Sequence, residues 1–132
     1  MTQYMLDTNT VSNLIKKHPL VARRLVTVPI ASLCISAITE GELLFGLARR
    51  PEARRLHLVV RELLRRLDVL PWDRDVAERY GAVRAELEFK GKTLAPLDLQ
   101  IAAHALCVGA VLVTNDRVFR QVVGLQLEDW TK

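Results

Sequence analysis

The hydrophobic positions at the start of the chain stop abruptly at an acid. Tyr4 to Leu6 are apolar, Asp7 follows directly, and Thr8 and Asn9 are small and polar. An apolar run that ends on a carboxylate is typical of a buried strand that delivers a side chain to the edge of an α/β sheet. The polar residues that follow suit the start of a helix. We therefore expect Asp7 to lie at a strand end and to belong to a ligand site.

The same pattern continues through the rest of the chain. Short apolar, β-prone runs predict strands at residues 33–36, 68–71 and 110–113, with a possible edge strand at 125–127. Between them, apolar residues recur three and four positions apart, which predicts helices at about 9–18, 20–28, 38–47, 52–67, 73–89 and 96–109. Gly109 closes the last of these helices, where glycine readily adopts a left-handed conformation.

Strands that alternate with helices through short turns indicate a three-layer α/β fold, in which helices flank a mostly parallel central sheet. The 132 residues contain no internal repeat, low-complexity segment or linker. This length is enough to bury a core without disulfides or structural zinc. The sequence therefore predicts one domain over residues 1–132.

Composition points to the cytoplasm. The only two cysteines, Cys34 and Cys107, lie in apolar runs and are predicted to be buried free thiols rather than metal ligands or redox groups. No basic segment of a secretory signal follows Met1, and Asp7 interrupts the first apolar run. The longest nearly apolar stretch, 101–113, contains His104 and is shorter than the ~20 residues of a membrane span.

The net charge of +4 agrees with a polyanionic partner such as nucleic acid. The sequence pI is about 9.4. Much of the excess charge occurs in arginine pairs at 23–24, 49–50, 54–55 and 65–66. Paired arginines are also common on solvated helix faces, so charge alone does not assign a function.

Four acids are candidates for one metal site. Asp7 and Asp116 follow predicted strands, whereas Glu42 and Asp98 are predicted in the first turns of helices, near the positive ends of the helix dipoles. Because ligand sites of parallel sheets form beyond the carboxyl ends of the strands, these four segments can converge. Carboxylates that repel one another need a cation, and hard oxygen ligands favour Mg²⁺ or Mn²⁺. An acidic metal pocket with a basic exterior suggests a nuclease.

Each acid also has an ordinary structural alternative. Asp7 can cap a helix, and Asp98 can complement a helix dipole. Glu42 can form a capping box with Thr39, and Asp116 can shape a turn. Glu40 competes with Glu42, because residues two apart point to nearly opposite sides of a helix and periodicity does not choose between them.

Several neighbouring polar residues are candidates for supporting roles. Thr8, Asn9 and Thr114 could orient a carboxylate or a metal-bound water, and Asn9 is the strongest of the three. His104 lies two turns into the helix that carries Asp98, so we interpret it as a core or interface residue.

An ordered set of motifs resembles a known family. These motifs are Met5-Leu6-Asp7-Thr8-Asn9, Thr39-x-x-Glu42-Leu43-x-x-Gly46, Pro96-Leu97-Asp98-x-x-Ile101-Ala102-Ala103-His104-Ala105, Leu112-Val113-Thr114-Asn115-Asp116 and Leu125-x-x-Glu128-Asp129-Trp130. Together they resemble the PIN-domain ribonucleases of the VapC type, the toxins of bacterial VapBC toxin–antitoxin pairs. The similarity extends from Tyr4 to Trp130.

The resemblance implies a parallel sheet flanked by helices, with an acidic pocket that binds Mg²⁺ or Mn²⁺. It places the conserved acids on Asp7, Glu42 and Asp98, with Asp116 in a more variable fourth position, and so favours Glu42 over Glu40. Many relatives have an additional acid where Val118 precedes Phe119 here.

The resemblance further implies a homodimer that cleaves RNA endonucleolytically, with transfer or ribosomal RNA as the substrate. A VapB-type antitoxin would inhibit it, with its tail over the active site, and promoter DNA would be bound only indirectly, through the antitoxin.

Two other functions are alternatives to a nuclease. A phosphohydrolase of the haloacid dehalogenase type would use the aspartate after the first strand as a nucleophile, but it needs a second acid where Asn9 stands. A PIN-like module that binds RNA or a partner without cutting it would be favoured by an incomplete set of acids.

Overall fold

The computed structural model describes all residues, 1–132, and its centre is a five-stranded parallel sheet. The strands lie in the order β3-β2-β1-β4-β5, and every neighbouring pair is parallel. Their bounds are β1 Tyr4–Leu6, β2 Leu33–Ser36, β3 Asp68–Leu70, β4 Val111–Val113 and β5 Leu127–Glu128.

Helices cover both faces of the sheet. They are α1 Thr8–Ile15, α2 Pro19–Leu25, α3 Ala37–Ala48, α4 Arg54–Arg66, α5 Arg74–Phe89 and α6 Pro96–Val108. Alternate residues of β1 face opposite layers: Met5 belongs to the apolar cluster that contains residues of α5 and α6, and Leu6 to the cluster that contains residues of α1 to α4. This arrangement confirms the predicted three-layer α/β fold.

The strand order creates a switch point between β1 and β4. From β1 the chain builds β2 and β3 on one side, and it then returns to place β4 and β5 on the other side. In open parallel sheets, ligands bind beyond the carboxyl ends of the strands where the order reverses. Here those ends are followed by Asp7, after β1, and by Thr114 to Asp116, after β4.

The structure corrects some of the predicted boundaries. The edge strand is Leu127–Glu128 rather than 125–127. Helix α3 begins directly after Ser36, whose side chain accepts the backbone N–H of Ile38 and caps the helix. Thr39 therefore lies inside α3, which excludes the alternative that Glu42 forms a capping box with Thr39.

Other local predictions are confirmed. Asp73 caps α5 by accepting the backbone N–H of Val76 at 3.0 Å. Gly109 ends α6 with φ of 70°, a left-handed conformation. Cys34 is buried as predicted, but Cys107 is only half-buried, because it lies near the end of α6 rather than in its middle. No helix is both long enough and apolar enough to cross a membrane.

Candidate active site

Asp7 is held rigidly between two strands at the switch point. Its backbone N–H donates to the carbonyl of Val113 at 3.1 Å, which ties it to the end of β4. Its Oδ1 accepts the backbone N–H of Thr10 at 2.8 Å and caps α1. The Thr10 hydroxyl donates to the same Val113 carbonyl at 2.8 Å. This network fixes a carboxylate that is only 4 % exposed.

The surroundings of Asp7 disfavour its charged form. Burial is the largest effect and raises the pKa of its carboxyl above the ordinary value, and the charge of Asp116 adds to the rise. The side chains of Thr114 and Thr10 and the backbone of Thr10 lower the pKa without cancelling the rise. The Thr114 hydroxyl also accepts the backbone N–H of Asp116 at 3.0 Å, so it links the two acids. Asp7 is thus an incompletely compensated buried acid.

Asp98 and Asp116 share this negative environment. Asp98 is half-buried in the first turn of α6, as predicted. Burial raises the pKa of Asp98, and the charges of Asp116 and then Asp7 raise it further. Asp116 is exposed beyond β4, and its Oδ1 accepts the backbone N–H of Val118 at 3.0 Å. The fold therefore brings three of the four predicted acids close enough for their charges to interact.

Glu42 occupies a different position from the predicted one. Because Ser36 caps α3, Glu40 is the acid in the first turn of the helix, and Glu42 lies in the second turn. Both glutamates are half-buried, so burial does not choose between them. Glu42 is not among the charges that raise the pKa of Asp7 or Asp98.

The set of side chains fits a hard divalent cation in its chemistry. Asp7, Asp98 and Asp116 supply only oxygen donors, which suit Mg²⁺ or Mn²⁺. No three acidic, histidine or cysteine side chains converge closely enough to form a complete ligand set in the present conformation. A cation that bound here would relieve the repulsion between the carboxylates. The site therefore suits a cation in its charge and its donor atoms, although the side chains do not form a complete coordination shell.

Among the predicted supporting residues, Thr114 contacts the acids of the site, whereas Thr8 and Asn9 make no side-chain hydrogen bond to them. Asn9 is exposed and its side chain makes no hydrogen bond, whereas the buried Thr10 contacts Asp7 directly. A helix cap usually accepts the N–H of the second or third helical residue, so the spacing of Asp7 and Thr10 could have indicated this contact. Thr8 is half-buried, and its side chain also makes no hydrogen bond. Thr114 is buried and holds the backbone of Asp116, next to the site.

A second buried polar contact lies at the end of β2. The Ser36 hydroxyl and His104 Nδ1 are 2.7 Å apart, and both residues are fully buried. His104 Nε2 has no hydrogen-bond partner, and the ring packs edge-on against Trp72 with centroids 5.7 Å apart. His104 is therefore a core residue, as predicted, and it joins α6 to the start of α3.

The chain matches known proteins over nearly its full length. The model of the PIN domain family matches residues 4–125. The tRNA(fMet)-specific endonuclease VapC of Salmonella typhimurium is 40% identical, over 98% of this chain and 99% of that protein. The enzyme of the same description from Shigella flexneri is 37% identical, over 99% of this chain and 100% of that protein.

A solved structure shows the same architecture. A chain in the crystal structure of DNA-bound VapBC from Salmonella typhimurium superposes with a TM-score of 0.91 at 40% identity. The superposition covers 98% of this chain and 99% of that chain. The full-length matches, the shared fold and the acids at the switch point agree. This chain belongs to the PIN-domain family and, within it, to the VapC ribonucleases.

Proposed function

We propose that this ribonuclease depends on a divalent metal ion and cuts RNA internally at the carboxylate site of the switch point. The observation that carries the proposal is the uncompensated negative charge of that site. Burial and the neighbouring acids raise the pKa values of Asp7 and Asp98, and no basic side chain forms an ion pair with either of them. A bound cation would stabilise the charged form of both carboxylates and would also attract the negatively charged phosphodiester of an RNA substrate.

Asp7 and Asp98 would hold the Mg²⁺ or Mn²⁺ ion, together with Asp116 and Glu42. When bound, such an ion lowers the pKa of a water molecule and neutralises charge that develops on the phosphodiester. The protein fixes Asp7 through Thr10 and Val113, so this carboxylate does not have to be reoriented during the reaction. Asp98 keeps its position in the first turn of α6, where the helix dipole favours a negative charge.

We propose that transfer RNA is the substrate and that the chain is the toxin of a toxin–antitoxin pair. Support comes from the two tRNA(fMet)-specific relatives, which are 40% and 37% identical. The matched crystal structure contains VapBC bound to DNA. By analogy, a VapB-type antitoxin would bind this chain and connect it to promoter DNA.

The metal and the glutamate are tested together with Glu42→Gln and Glu40→Gln. The two variants make the same substitution two positions apart, and both residues are half-buried on α3. Purified protein without antitoxin is incubated with a transfer RNA in Mg²⁺, in Mn²⁺ and in EDTA, and the products are separated on a gel. We expect wild type and Glu40→Gln to cut only with the metal, and Glu42→Gln to lose cleavage.

Cleavage in EDTA at the wild-type rate would contradict metal dependence. Equal activity of the two glutamine variants would show that Glu42 has no special role in cleavage. A wild-type protein that binds RNA but neither cuts it nor binds Mg²⁺ or Mn²⁺ in a calorimetric titration would be a binding module that does not cut.

A further inference from the structure

We propose that a groove beside the carboxylate site binds the phosphate backbone of the RNA, with Arg117 and Arg120 as its phosphate contacts. The inference rests on the proposed nuclease function and adds the path of the substrate. The arginine groove, as we name it, lies between the segments that follow β4 and β5 and has a volume of about 470 Å³. Its lining includes Asp116, Arg117, Arg120, Glu128, Asp129 and Lys132.

The groove adjoins the carboxylate site through Asp116. Strands β4 and β5 are parallel neighbours, so the segments after them project from the same edge of the sheet as Asp7. Asp116 lines the groove and also raises the pKa values of Asp7 and Asp98. A strand of RNA with one phosphate at the carboxylates would therefore have its next phosphates in or near this groove.

The acids of the groove already have partners. Glu128 accepts from Arg24 at 3.0 Å and from the indole N–H of Trp130 at 2.9 Å. Asp129 accepts the backbone N–H of Thr131 at 2.8 Å. Glu128 is thus ion-paired with Arg24, Asp129 is hydrogen-bonded to Thr131, and neither acid forms an ion pair with Arg117 or Arg120.

The two arginines are free to contact a ligand. Arg117 and Arg120 are exposed, and neither forms an ion pair. Both belong to the same short 3₁₀ helix, Arg117–Gln121, which Asp116 caps. Their backbones are therefore fixed relative to that acid. A guanidinium group can bind a phosphate through two parallel hydrogen bonds, which makes arginine suited to a phosphate backbone.

A second cleft adjoins the arginine groove and carries further arginines. A second cleft of about 470 Å³ shares Glu128, Asp129 and Lys132 with it and also includes Arg23 and Arg24 of α2. Arg24 is bound to Glu128, but Arg23 has no ion pair. The two clefts together form a continuous path from Asp116 to α2, which suits an extended polyanion better than a single phosphate group.

Arginines at the other edge of the sheet provide a matched control. Arg65 and Arg66 end α4 just before β3, so they lie at the amino-terminal edge, away from the switch point. Both are bound to Glu62, at 2.9 Å. Replacing this pair by alanine removes the same charge as replacing Arg117 and Arg120, but outside the proposed path.

The test measures RNA binding separately from cleavage. Arg117→Ala/Arg120→Ala and Arg65→Ala/Arg66→Ala are each made in an Asp98→Asn background, in which the RNA stays intact. Binding of a fluorescently labelled transfer RNA is followed by anisotropy over a range of KCl concentrations, after circular dichroism has confirmed folding. A variant that does not fold is replaced by the corresponding lysine or single-alanine variant.

We expect the groove variant to bind the RNA roughly tenfold more weakly, because hydrogen bonds to charged groups are among the stronger ones. Its plot of log affinity against log salt should become less steep by about 0.7 for each lost contact with single-stranded RNA. With Asp98 restored, the groove variant should show a raised KM and a nearly unchanged kcat. The control pair should change none of these quantities appreciably.

Equal effects of the two double variants would overturn the proposal, because net charge alone would then explain the binding. Unchanged RNA binding of the groove variant, combined with weaker binding of a purified antitoxin, would assign the surface to a protein partner and would also overturn it. In either case wild-type cleavage of RNA would leave the proposed function intact. If the wild type neither binds nor cuts RNA, the proposed function itself fails.

Discussion

Strands β1 and β2 both end at a buried residue that caps the helix after it, but the two cap residues have different surroundings. At the end of β1, Asp7 is buried and accepts the N–H of Thr10 to cap α1. At the end of β2, Ser36 is buried and accepts the N–H of Ile38 at 3.1 Å to cap α3. Both residues therefore turn the chain from a strand into a helix at the same edge of the sheet.

Their surroundings differ in charge. Ser36 is neutral, and its hydroxyl is paired with His104 at 2.7 Å. Asp7 carries a charge that burial and Asp116 disfavour. A buried polar group that is satisfied by its neighbours contributes to stability, whereas a buried charge that its neighbours disfavour is a candidate for binding a ligand. A cap residue thus becomes a functional candidate through the charges around it rather than through the cap itself.

The largest expected effect is the loss of activity in Asp7→Asn. Asparagine is also a good helix cap, so the fold should persist while one carboxylate is lost. A metal site contributes several kcal/mol to the stabilisation of a phosphodiester transition state, so RNA cleavage should fall by at least ~10³-fold in a gel assay with Mg²⁺. Asp73→Asn makes the same change at the exposed cap of α5 and should keep full activity.

Asp7→Asn should also stabilise the metal-free protein at neutral pH. Because the folded-state pKa of Asp7 is raised, protonation favours folding: the favourable contribution is fully present below the unfolded pKa and is lost as the pH rises through the folded one. Urea denaturation in EDTA should therefore show the variant more stable than wild type at pH 7. The gain should shrink as the pH falls towards the ordinary aspartate value of about 4. A pH-independent difference would show that burial of the charge is not its cause.

Removal of His104, the buried partner of Ser36 at the end of β2, should reduce stability and leave activity nearly unchanged. His104→Ala opens a cavity beside Trp72 and leaves the hydroxyl of Ser36 without its buried partner. We expect a loss of about 3 kcal/mol in the free energy of unfolding, measured with urea. Cleavage per folded molecule should stay within a few-fold of wild type. A stable His104→Ala protein that no longer cuts RNA would contradict the view that Asp7 serves catalysis and Ser36 serves stability.

Ser36→Ala should cost less, about 1–2 kcal/mol, because it removes the cap of α3 and one buried hydrogen bond without opening a large cavity. The double variant with His104→Ala should be less destabilised than the sum of the two single variants, since both remove the same contact.

The smallest effect is the response of the folded protein to metal. At a Mg²⁺ concentration ten times the dissociation constant, binding stabilises the folded state by about 1.4 kcal/mol, or roughly 3–5 °C in Tm. Wild type should show this shift in differential scanning fluorimetry. Asp7→Asn should show little of it, whereas Ser36→Ala should keep it. An equal shift in all three proteins would mean that Mg²⁺ binds elsewhere.

Much of the fold follows from local pattern. Short apolar runs identify the strands, and the acids that end β1 and follow β4 are visible because the apolar run stops at or just before them. The position of Asp98 in the first turn of α6 also follows from local signals, because Pro96 marks the start of that helix. These features depend on neighbours in sequence.

The remaining features depend on contacts between distant residues. In the sequence Ser36 looks only like the last residue of a strand, so local pattern predicts a later start of α3 and places Glu42 in the first turn instead of the second. The contact of Ser36 with His104 joins positions 68 residues apart, so no periodicity reveals it. The position of Asn9 just beyond Asp7 favours it as a supporting residue, whereas only the fold shows that Thr10 is buried against Asp7.

The central place of β1 in the sheet has a consequence for synthesis on the ribosome. The Thr10 hydroxyl binds the carbonyl of Val113, 103 residues further along the chain, and β4 and β5 come last. Pairing between such distant segments forms late, because it must await their translation. A nascent chain therefore carries Asp7 without the strand that holds it in place. The carboxylate site is therefore assembled only after almost the whole chain has emerged from the ribosome.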